Sequence, residues 1–398
     1  MKKRGLLAVT LVLFIFTIFS FLEAQSEADE AYIKAITAST PAQRAQLLKE
    51  YISKYSGKGT QYENFAYANL SLLAYPGKTD KETIDYGEKA LALGGLDDLT
   101  RCQLLIVLSA KYSALGSNLE KAKSYALQVV EIARANKDKE SATETASQWN
   151  NLIGAGYFAQ GQALEKAKDL RGAVDPYINS FNILKNPQIA ASLKKVGRSL
   201  YDFKFYADAE KAFKVAYQVL KDYESCAFYA NSLYRNSKKE EALTYFKEAH
   251  TKQKSGEMAY NIGIILAEKS KTNPALSSEA IQYLLEASLL SPSKSQQAMS
   301  LAESLYFTSG KDIKYNENIK QIQEISKKIE ELTKTYNQKF EGKDEEELSD
   351  AEKKEMKTLL ANIETEKKML EKLEAEQNIV IAKFNKLIEE TKKRLGIQ

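Results

Sequence analysis

From about residue 60 to residue 310, apolar positions recur with the 3.6-residue period of α-helices, in pairs of short helices separated by polar turns. Each pair has one small residue on its first helix and another near the start of its second helix. The clearest three pairs follow each other at intervals of 33 residues, with Gly197 and Ala209, Ala230 and Ala242, and Gly263 and Ala280. The pattern predicts tandem helical hairpins in which small residues let two backbones approach closely.

Three looser copies precede these, with Ser71, Ser109 and Gly161 at the small position of the first helix. The interval from Ser109 to Gly161 is 52 residues, and its excess lies in Ala135–Leu152. We assign that excess to a longer helix that carries Trp149 and begins at a capping box at Ser141. A second insertion, Lys271–Ser278, lengthens one hairpin turn. A single hairpin of this kind exposes an apolar face that only its neighbour can cover, so the hairpins must stack.

This pattern resembles the tetratricopeptide repeat (TPR), a helical hairpin of about 34 residues. The resemblance covers about residues 60–310, which is enough for about six hairpins. It implies an all-α fold, a right-handed α-α superhelix or TPR-like solenoid, in which the first helices line a concave groove. It also implies protein binding as the usual role.

The segments before and after the repeats have different sequence patterns. Ahead of them, Glu27–Ala38 and Pro41–Tyr55 are predicted to form a helical pair, with Thr40 as the cap of the second helix and Gln43 completing a capping box. After them, Ser295–Tyr306 is interpreted as the first helix of a degenerate seventh unit whose partner helix has been replaced. The predicted domains are therefore residues 25–58, 59–310 and 311–398, after a segment 1–24.

The segment 311–398 is rich in charge and carries apolar residues in heptad spacing, broken near Gly342. This predicts an antiparallel coiled-coil hairpin whose second arm is the longer. The overhang holds Phe384, Leu387 and Ile388. These three either pack back on the last repeat or join a second protomer, which leaves a homo-oligomer open.

The N-terminal segment has Lys2, Lys3 and Arg4 ahead of the apolar run Leu6–Leu22, which predicts a bacterial export signal cleaved after Ala24. The alternative is an uncleaved anchor, because the run almost spans a bilayer. The protein is therefore expected in the periplasm or cell envelope, with membrane contact only through this segment if it is retained.

Composition excludes several kinds of chemistry. The 57 basic and 53 acidic residues give a net charge of only +4, so no electrostatic case for nucleic acid follows. With one histidine and two cysteines, no metal, cofactor or catalytic histidine site is predicted. Cys102 and Cys226 lie three repeats apart, too far for a disulfide, and are interpreted as small buried side chains. His250 is predicted to have a capping or surface role.

The predicted groove face carries basic and aromatic side chains together with an amide, which suits an extended peptide or an acidic C-terminus. Its candidate residues are Lys194, Arg198, Tyr201, Asn231, Tyr234, Arg235 and Tyr260. Some members of the resembled family clamp a terminal carboxylate. This chain has Phe228 and Glu257 where an asparagine and a lysine are expected, which argues against that ligand. The alternative is a solvated helix face.

The leading hypothesis is a non-enzymatic scaffold or adaptor of the cell envelope that binds a protein or peptide in its groove. The alternative is a membrane-anchored structural or assembly component that uses its coiled coil for oligomerisation or spacing. An exported enzyme acting on wall polymer would need a catalytic acid in a cleft. Every acidic residue that can be placed has an exposed helix position, so no enzyme is predicted.

Overall fold

The chain folds into α-helices joined by short turns. The structure, a computed structural model, describes residues 27–139, 144–309 and 315–397, and no strand occurs within these ranges. The helices divide into two compact units, one ending at Lys221 and the other beginning at Asp222. Among the described helices, none combines the length and apolar character needed to span a bilayer. The predicted export signal lies outside the described residues.

The first unit contains a helical pair followed by four hairpins, each made of two consecutive helices. Its helices are α1 (27–37), α2 (Pro41–Tyr55), α3 (Glu63–Leu72), α4 (Asp80–Leu93), α5 (Asp98–Leu115), α6 (Leu119–Asn136), α7 (Ala146–Lys166), α8 (Leu170–Leu184), α9 (Pro187–Asp202) and α10 (Tyr206–Leu220). The predicted pair and hairpins are all present. Where residue ranges were predicted for the pair, they match to within a residue.

Close approach within hairpins occurs at the predicted small positions. A Cβ atom added at Gly161 would lie 2.7 Å from Cδ1 of Tyr177, and one added at Gly197 would lie 3.1 Å from the Phe213 ring. In two of the looser copies a serine at this position joins the two helices by a hydrogen bond. The hydroxyls of Ser71 and Ser109 each donate to a backbone carbonyl of the second helix at 2.8 Å. Small residues therefore hold the two backbones of a hairpin together.

The long interval before Gly161 is taken up partly by α7, which has 21 residues and buries Trp149 to 1% exposure. The prediction of a longer helix carrying this tryptophan is confirmed, but its start is wrong. The helix is capped by Thr145, whose hydroxyl accepts from Gln148 N at 3.2 Å while Thr145 N donates to Gln148 Oε1 at 2.7 Å. This reciprocal pair is the stronger N-terminal signal, and the proposed box at Ser141 begins outside the described residues.

At the N-terminal pair, Thr40 caps α2 as predicted by accepting from Gln43 N at 3.2 Å. The predicted capping box is incomplete. The Gln43 side chain accepts instead from the hydroxyl of Ser39 at 3.0 Å.

The second unit contains two hairpins, a single helix and a long antiparallel helical hairpin. Its helices are α11 (Tyr223–Arg235), α12 (Lys239–Lys252), α13 (Gly256–Ser270), α14 (Ser277–Leu290), α15 (Ser295–Ser309), α16 (Tyr315–Phe340) and α17 (Asp350–Leu395), with 3-10 turns at Pro274–Leu276 and Glu345–Glu347. The insertion 271–278 lengthens the turn between α13 and α14, as predicted. Gly263 packs against Leu284, with 2.7 Å from an added Cβ to Cγ.

The two long helices run antiparallel, as two ion pairs between them demonstrate. Lys339 Nζ lies 2.5 Å from Glu355 Oε1, and Lys328 pairs with Glu366, eleven residues further from the turn on each arm. The chain reverses at Gly342, whose φ of 79° suits glycine. The predicted break is therefore placed correctly.

The free end of α17 packs against α14 and α15. Phe384 is buried to 3% exposure among Ile281, Leu285 and Tyr306. Its ring centroid lies 5.0 Å from that of Tyr306 and 5.6 Å from that of Phe307. Two arrangements were considered for this overhang, packing on the last repeat or joining a second protomer, and the structure has the first. The end of α17 covers the last repeat and takes the place of the missing partner helix of α15.

Candidate functional site

We call the side of a hairpin's first helix that carries predicted groove residues its first-helix face. In the first unit this face carries three of those residues, all on α9. Lys194 and Tyr201 are half-buried and Arg198 is exposed. The Tyr201 ring packs edge-on against Tyr206, with 5.2 Å between centroids. Spacings of four and three residues put the three side chains on one side of α9.

The first-helix face of the second unit carries the other four, on α11 and α13. Asn231 and Tyr234 are half-buried and Arg235 is exposed on α11, while Tyr260 is half-buried on α13. Tyr234 packs edge-on against Phe246, and Lys294 Nζ lies 5.2 Å from the centroid of the Tyr260 ring. Burial, together with the neighbouring Tyr234, raises the pKa of Tyr260, so its hydroxyl stays a neutral donor at physiological pH.

Asn261 belongs to this face but was not among the predicted groove residues. Its Nδ2 donates to Oδ1 of Asn231 at 3.3 Å, which links the first helices of two successive hairpins. The available signal was the 30-residue spacing of the two asparagines, close to the repeat length. Two half-buried amides side by side can donate to and accept from the backbone of an extended chain, as the peptide-recognition modes require.

A buried cluster in the second unit contradicts the surface role that was one of the two predicted for His250. This residue is only 2% exposed, and its Nε2 lies 2.7 Å from Oε2 of Glu286, itself 3% exposed. The other carboxylate oxygen, Oε1, lies 2.9 Å from a terminal guanidinium nitrogen of Arg394. Three helices therefore meet at one carboxylate, with His250 at the end of α12, Glu286 on α14 and Arg394 at the end of α17. We call these three residues the latch cluster.

The expectation that every acidic residue has an exposed helix position is also wrong, because Glu286 is buried. Burial acts to raise the pKa of Glu286, but the hydrogen bond to His250 and the nearby charges, Arg394 among them, outweigh it and hold the pKa below its usual range. Sequence spacing gave no sign of this cluster, since its members are 36 and 108 residues apart and only the fold brings them together.

Beside the latch cluster is a cavity of about 430 Å³ between α14, α15 and α17. Its lining combines Ile281, Leu285, Tyr306 and Leu387 with the polar side chains of Ser278, Gln282, Glu390, Thr391 and Arg394. The end of α17 therefore covers the last repeat without filling the space against it.

The first unit has a half-buried acid, Glu88 on α4, whose side chain is 26% exposed. Its carboxylate accepts from the hydroxyls of Tyr112 and Tyr125 at 2.7 and 2.9 Å and lies 2.7 Å from Lys121 Nζ. Burial acts to raise the pKa of Glu88, but these donors outweigh it and lower the pKa. All the partners belong to α5 and α6, so the group ties neighbouring hairpins together.

Both cysteines are free and buried, which confirms the sequence interpretation. The thiols of Cys102 and Cys226 lie 3.9 and 3.4 Å from backbone carbonyls of Val129 and Tyr245. Burial raises the pKa of the Cys102 thiol to about 12. Within the described ranges, no group of three or more His, Cys, Asp or Glu side chains is arranged to hold a metal ion.

The packing of its own hairpins therefore defines the chain as an all-α helical-repeat protein, with hairpins similar to the tetratricopeptide repeat. No family model matches the chain, and no curated protein matches it by sequence.

Several solved structures are similar to the chain, each at low sequence identity. One is a tetratricopeptide repeat protein from Parabacteroides merdae, with 12% identity and a TM-score of 0.34 over 71% of this chain and 99% of that one. Another is the apo form of RapI, with 14% identity and a TM-score of 0.34 over 62% and 96%. A third is the TPR2AB domain of yeast Sti1 in its complex with pHSP90, with 16% identity and a TM-score of 0.25 over 61% and 97%.

Proposed function

We propose that this protein is an exported, non-enzymatic scaffold of the cell envelope that binds an extended segment of a partner protein on its first-helix faces. The proposal rests chiefly on the linked amides of Asn231 and Asn261, which lie on successive first helices with Tyr234 and Tyr260 beside them. Amides recognise a peptide backbone whatever its sequence, and tyrosines add large contact area at low entropic cost.

Charge adds selectivity to each of these faces. Lys194 and Arg198 are two basic side chains on the first-helix face of the first unit, and Arg235 is a basic side chain on that of the second unit. Basic side chains favour an acidic or phosphorylated segment over a basic one. The long antiparallel tail then serves to position the scaffold. Export is proposed from Lys2, Lys3, Arg4 and the apolar run that follows them.

The test is crosslinking and mass spectrometry in intact envelopes. We expect Asn231→Ala combined with Tyr234→Ala and Asn261→Ala to lose partners that the wild-type protein captures. The matched control is Glu241→Ala with Thr244→Ala, two exposed positions on α12 of the same hairpin as Asn231. Capture of the same partners by all three proteins, each folded by circular dichroism, would refute the proposed binding face.

The first unit is tested separately with Lys194→Ala and Arg198→Ala. Loss of partners in this variant as well assigns the face of α9 to binding, and unchanged capture confines binding to the second unit.

The alternative function is that of a membrane-anchored structural component. It predicts that the protein stays with the membrane fraction and keeps its first residue. Detergent-free extraction followed by N-terminal sequencing separates the two, because a soluble product that begins near Gln25 contradicts the anchored form.

A further inference from the structure

The cavity between the last repeat and the tail lies between two matched helix faces. The α14 wall consists of Ser278, Ile281, Gln282 and Leu285, and the α17 wall of Leu387, Glu390, Thr391 and Arg394. Each set has the spacing i, i+3, i+4 and i+7, which places its four side chains on one side of the helix. Tyr306 of α15 completes the lining. Two helix faces therefore lie opposite each other without filling the space between them.

Two contacts of α17 bound this cavity along the helix. Phe384 is 3% exposed and belongs to the same buried cluster as Ile281. At the other end, Arg394 lies 2.9 Å from Oε1 of Glu286. The volume between the two contacts is about 430 Å³. Protein interiors are close-packed, and the walls of a void lose dispersion contacts. A molecule that fills the cavity restores those contacts to both helices.

The volume suits a small molecule better than a segment of protein. Binding sites for small molecules are clefts of about 300–1,000 Å³. One turn of α-helix with its side chains is about 5.4 Å high and 10–12 Å wide, so it occupies roughly 420–610 Å³. The cavity, at about 430 Å³, accommodates no more than a single helical turn. A partner helix is therefore a poor fit for this space.

The charges in the lining favour an uncharged molecule. Each of the two charged side chains has an opposite charge beside it. Arg394 pairs with Glu286, and Oε1 of Glu390 lies 3.7 Å from Nζ of Lys386. A charged ligand would have to give up its hydration to enter a space where both signs of charge are already compensated. Burial of a charge under those conditions is costly.

The lining also offers hydrogen bonds to a ligand. The hydroxyl of Thr391 donates to the Leu387 carbonyl at 2.8 Å, so its lone pairs can accept from a ligand. The Gln282 amide lies beside the Arg394 guanidinium, and with its oxygen turned toward that cation it has two N–H donors for a ligand. Burial raises the pKa of Tyr306, so its hydroxyl is a neutral donor.

We propose that this cavity is a binding site for a small uncharged molecule with an apolar body and a hydrogen-bonding end, and that the bound molecule strengthens the docking of α17. The apolar body packs against Ile281, Leu285 and Leu387 and removes their surface from water. Because the site is formed by α14 and α17 together, the molecule binds only the docked state, and mass action favours that state. This proposal is independent of the proposed binding face.

The first experiment is a fluorescence titration of the full-length protein with N-phenyl-1-naphthylamine, an uncharged aromatic amine. Its matched control is 1-anilinonaphthalene-8-sulfonate, which has the same rings and one negative charge. We expect one molecule of the amine to bind per chain and the sulfonate to bind about tenfold more weakly, because its charge finds no uncompensated partner. No binding of the amine, or binding of the sulfonate that is equal or tighter, overturns the proposal.

A pair of variants locates the probe. Gln282→Trp places a large ring in the cavity from an exposed position on α14, and it should weaken binding of the amine about tenfold or more. Gln297→Trp makes the same substitution at an exposed position on α15 outside the lining, and it should bind the amine as the wild type does. Equal binding by the two variants overturns the proposal.

Hydrogen exchange of the wild type at pH 7.5 tests the coupling without any variant, and decides the matter if Gln282→Trp does not fold. With the amine at about ten times its dissociation constant, the amides of residues 384–395 should exchange about tenfold more slowly, because the docked state is stabilised by that factor. The amides of α11 are the internal control and should not change. Unchanged exchange of the tail, or equal slowing of α11, overturns the proposal.

Discussion

Phe384→Ala offers the sharpest test of how the tail covers the last repeat. The ring is 3% exposed and packs against the rings of Tyr306 and Phe307, at 5.0 and 5.6 Å between centroids. Burial of a phenylalanine gives about 1.5–3 kcal/mol, and each aromatic pair adds about 0.5–1.5 kcal/mol. Measured losses for Phe→Ala in cores are about 3–5 kcal/mol.

We take about 3 kcal/mol, the low end of this range, as the loss in the free energy with which α17 docks on the last repeat, because the cavity nearby lets the site relax. This loss corresponds to a factor of roughly one hundred in the docking equilibrium. Hydrogen exchange of residues 384–395 at pH 7.5 should accelerate by that factor while α11 and α12 stay protected. Ile379→Ala is the matched control, since Ile379 lies five residues away on α17 and is 58% exposed. The reasoning is refuted if Phe384→Ala and Ile379→Ala exchange alike.

Three further predictions concern packing, backbone and reactivity. Gly263→Ala places a methyl group against Leu284, whose backbone nitrogen would lie 3.2 Å from the added Cβ. This should lower the free energy of unfolding, measured by urea titration, by about 1–3 kcal/mol. An unchanged urea midpoint contradicts the close approach. Lys204→Gly should stabilise by about 0.5–1 kcal/mol in the same assay, because Lys204 has a φ of 65°, a region costly for all residues but glycine; destabilisation contradicts this. The Cys102 thiol, with its pKa raised to about 12, should resist alkylation at pH 8 in the folded protein and react on unfolding; rapid labelling of the native protein contradicts its burial.

Periodicity predicted the helices well because each hairpin is a local structure. The positions of small residues, the insertion at 271–278 and the chain reversal at Gly342 all follow from contacts or backbone needs within a few tens of residues. The predicted start of α7 at Ser141 was wrong, because Thr145, four residues later, caps the helix in a reciprocal pair with Gln148.

The latch cluster could not be predicted in the same way. Glu286 has the local sequence of an ordinary helix residue, and its partners His250 and Arg394 lie on two other helices. The heptad pattern did indicate that Phe384 needed cover, but it is equally satisfied by a second protomer. Side chains distant in sequence are brought together by the fold, and a single sequence carries no record of such a pairing.

The candidate binding face could be predicted in part. Spacing along each first helix placed its side chains on one side, but the link between Asn231 and Asn261 depends on how two hairpins pack. Their spacing of 30 residues is close to the repeat interval of 33 but not equal to it, so the two asparagines do not occupy equivalent positions of the repeat.

The most direct measurement is site-specific photocrosslinking in living cells, with benzoylphenylalanine placed at Tyr234 on α11 or, as a control, at Thr244 on α12. The proposed function predicts that a partner protein crosslinks at position 234 and not at position 244. Crosslinks of equal yield at both positions, or at position 244 alone, would contradict binding on the first-helix face.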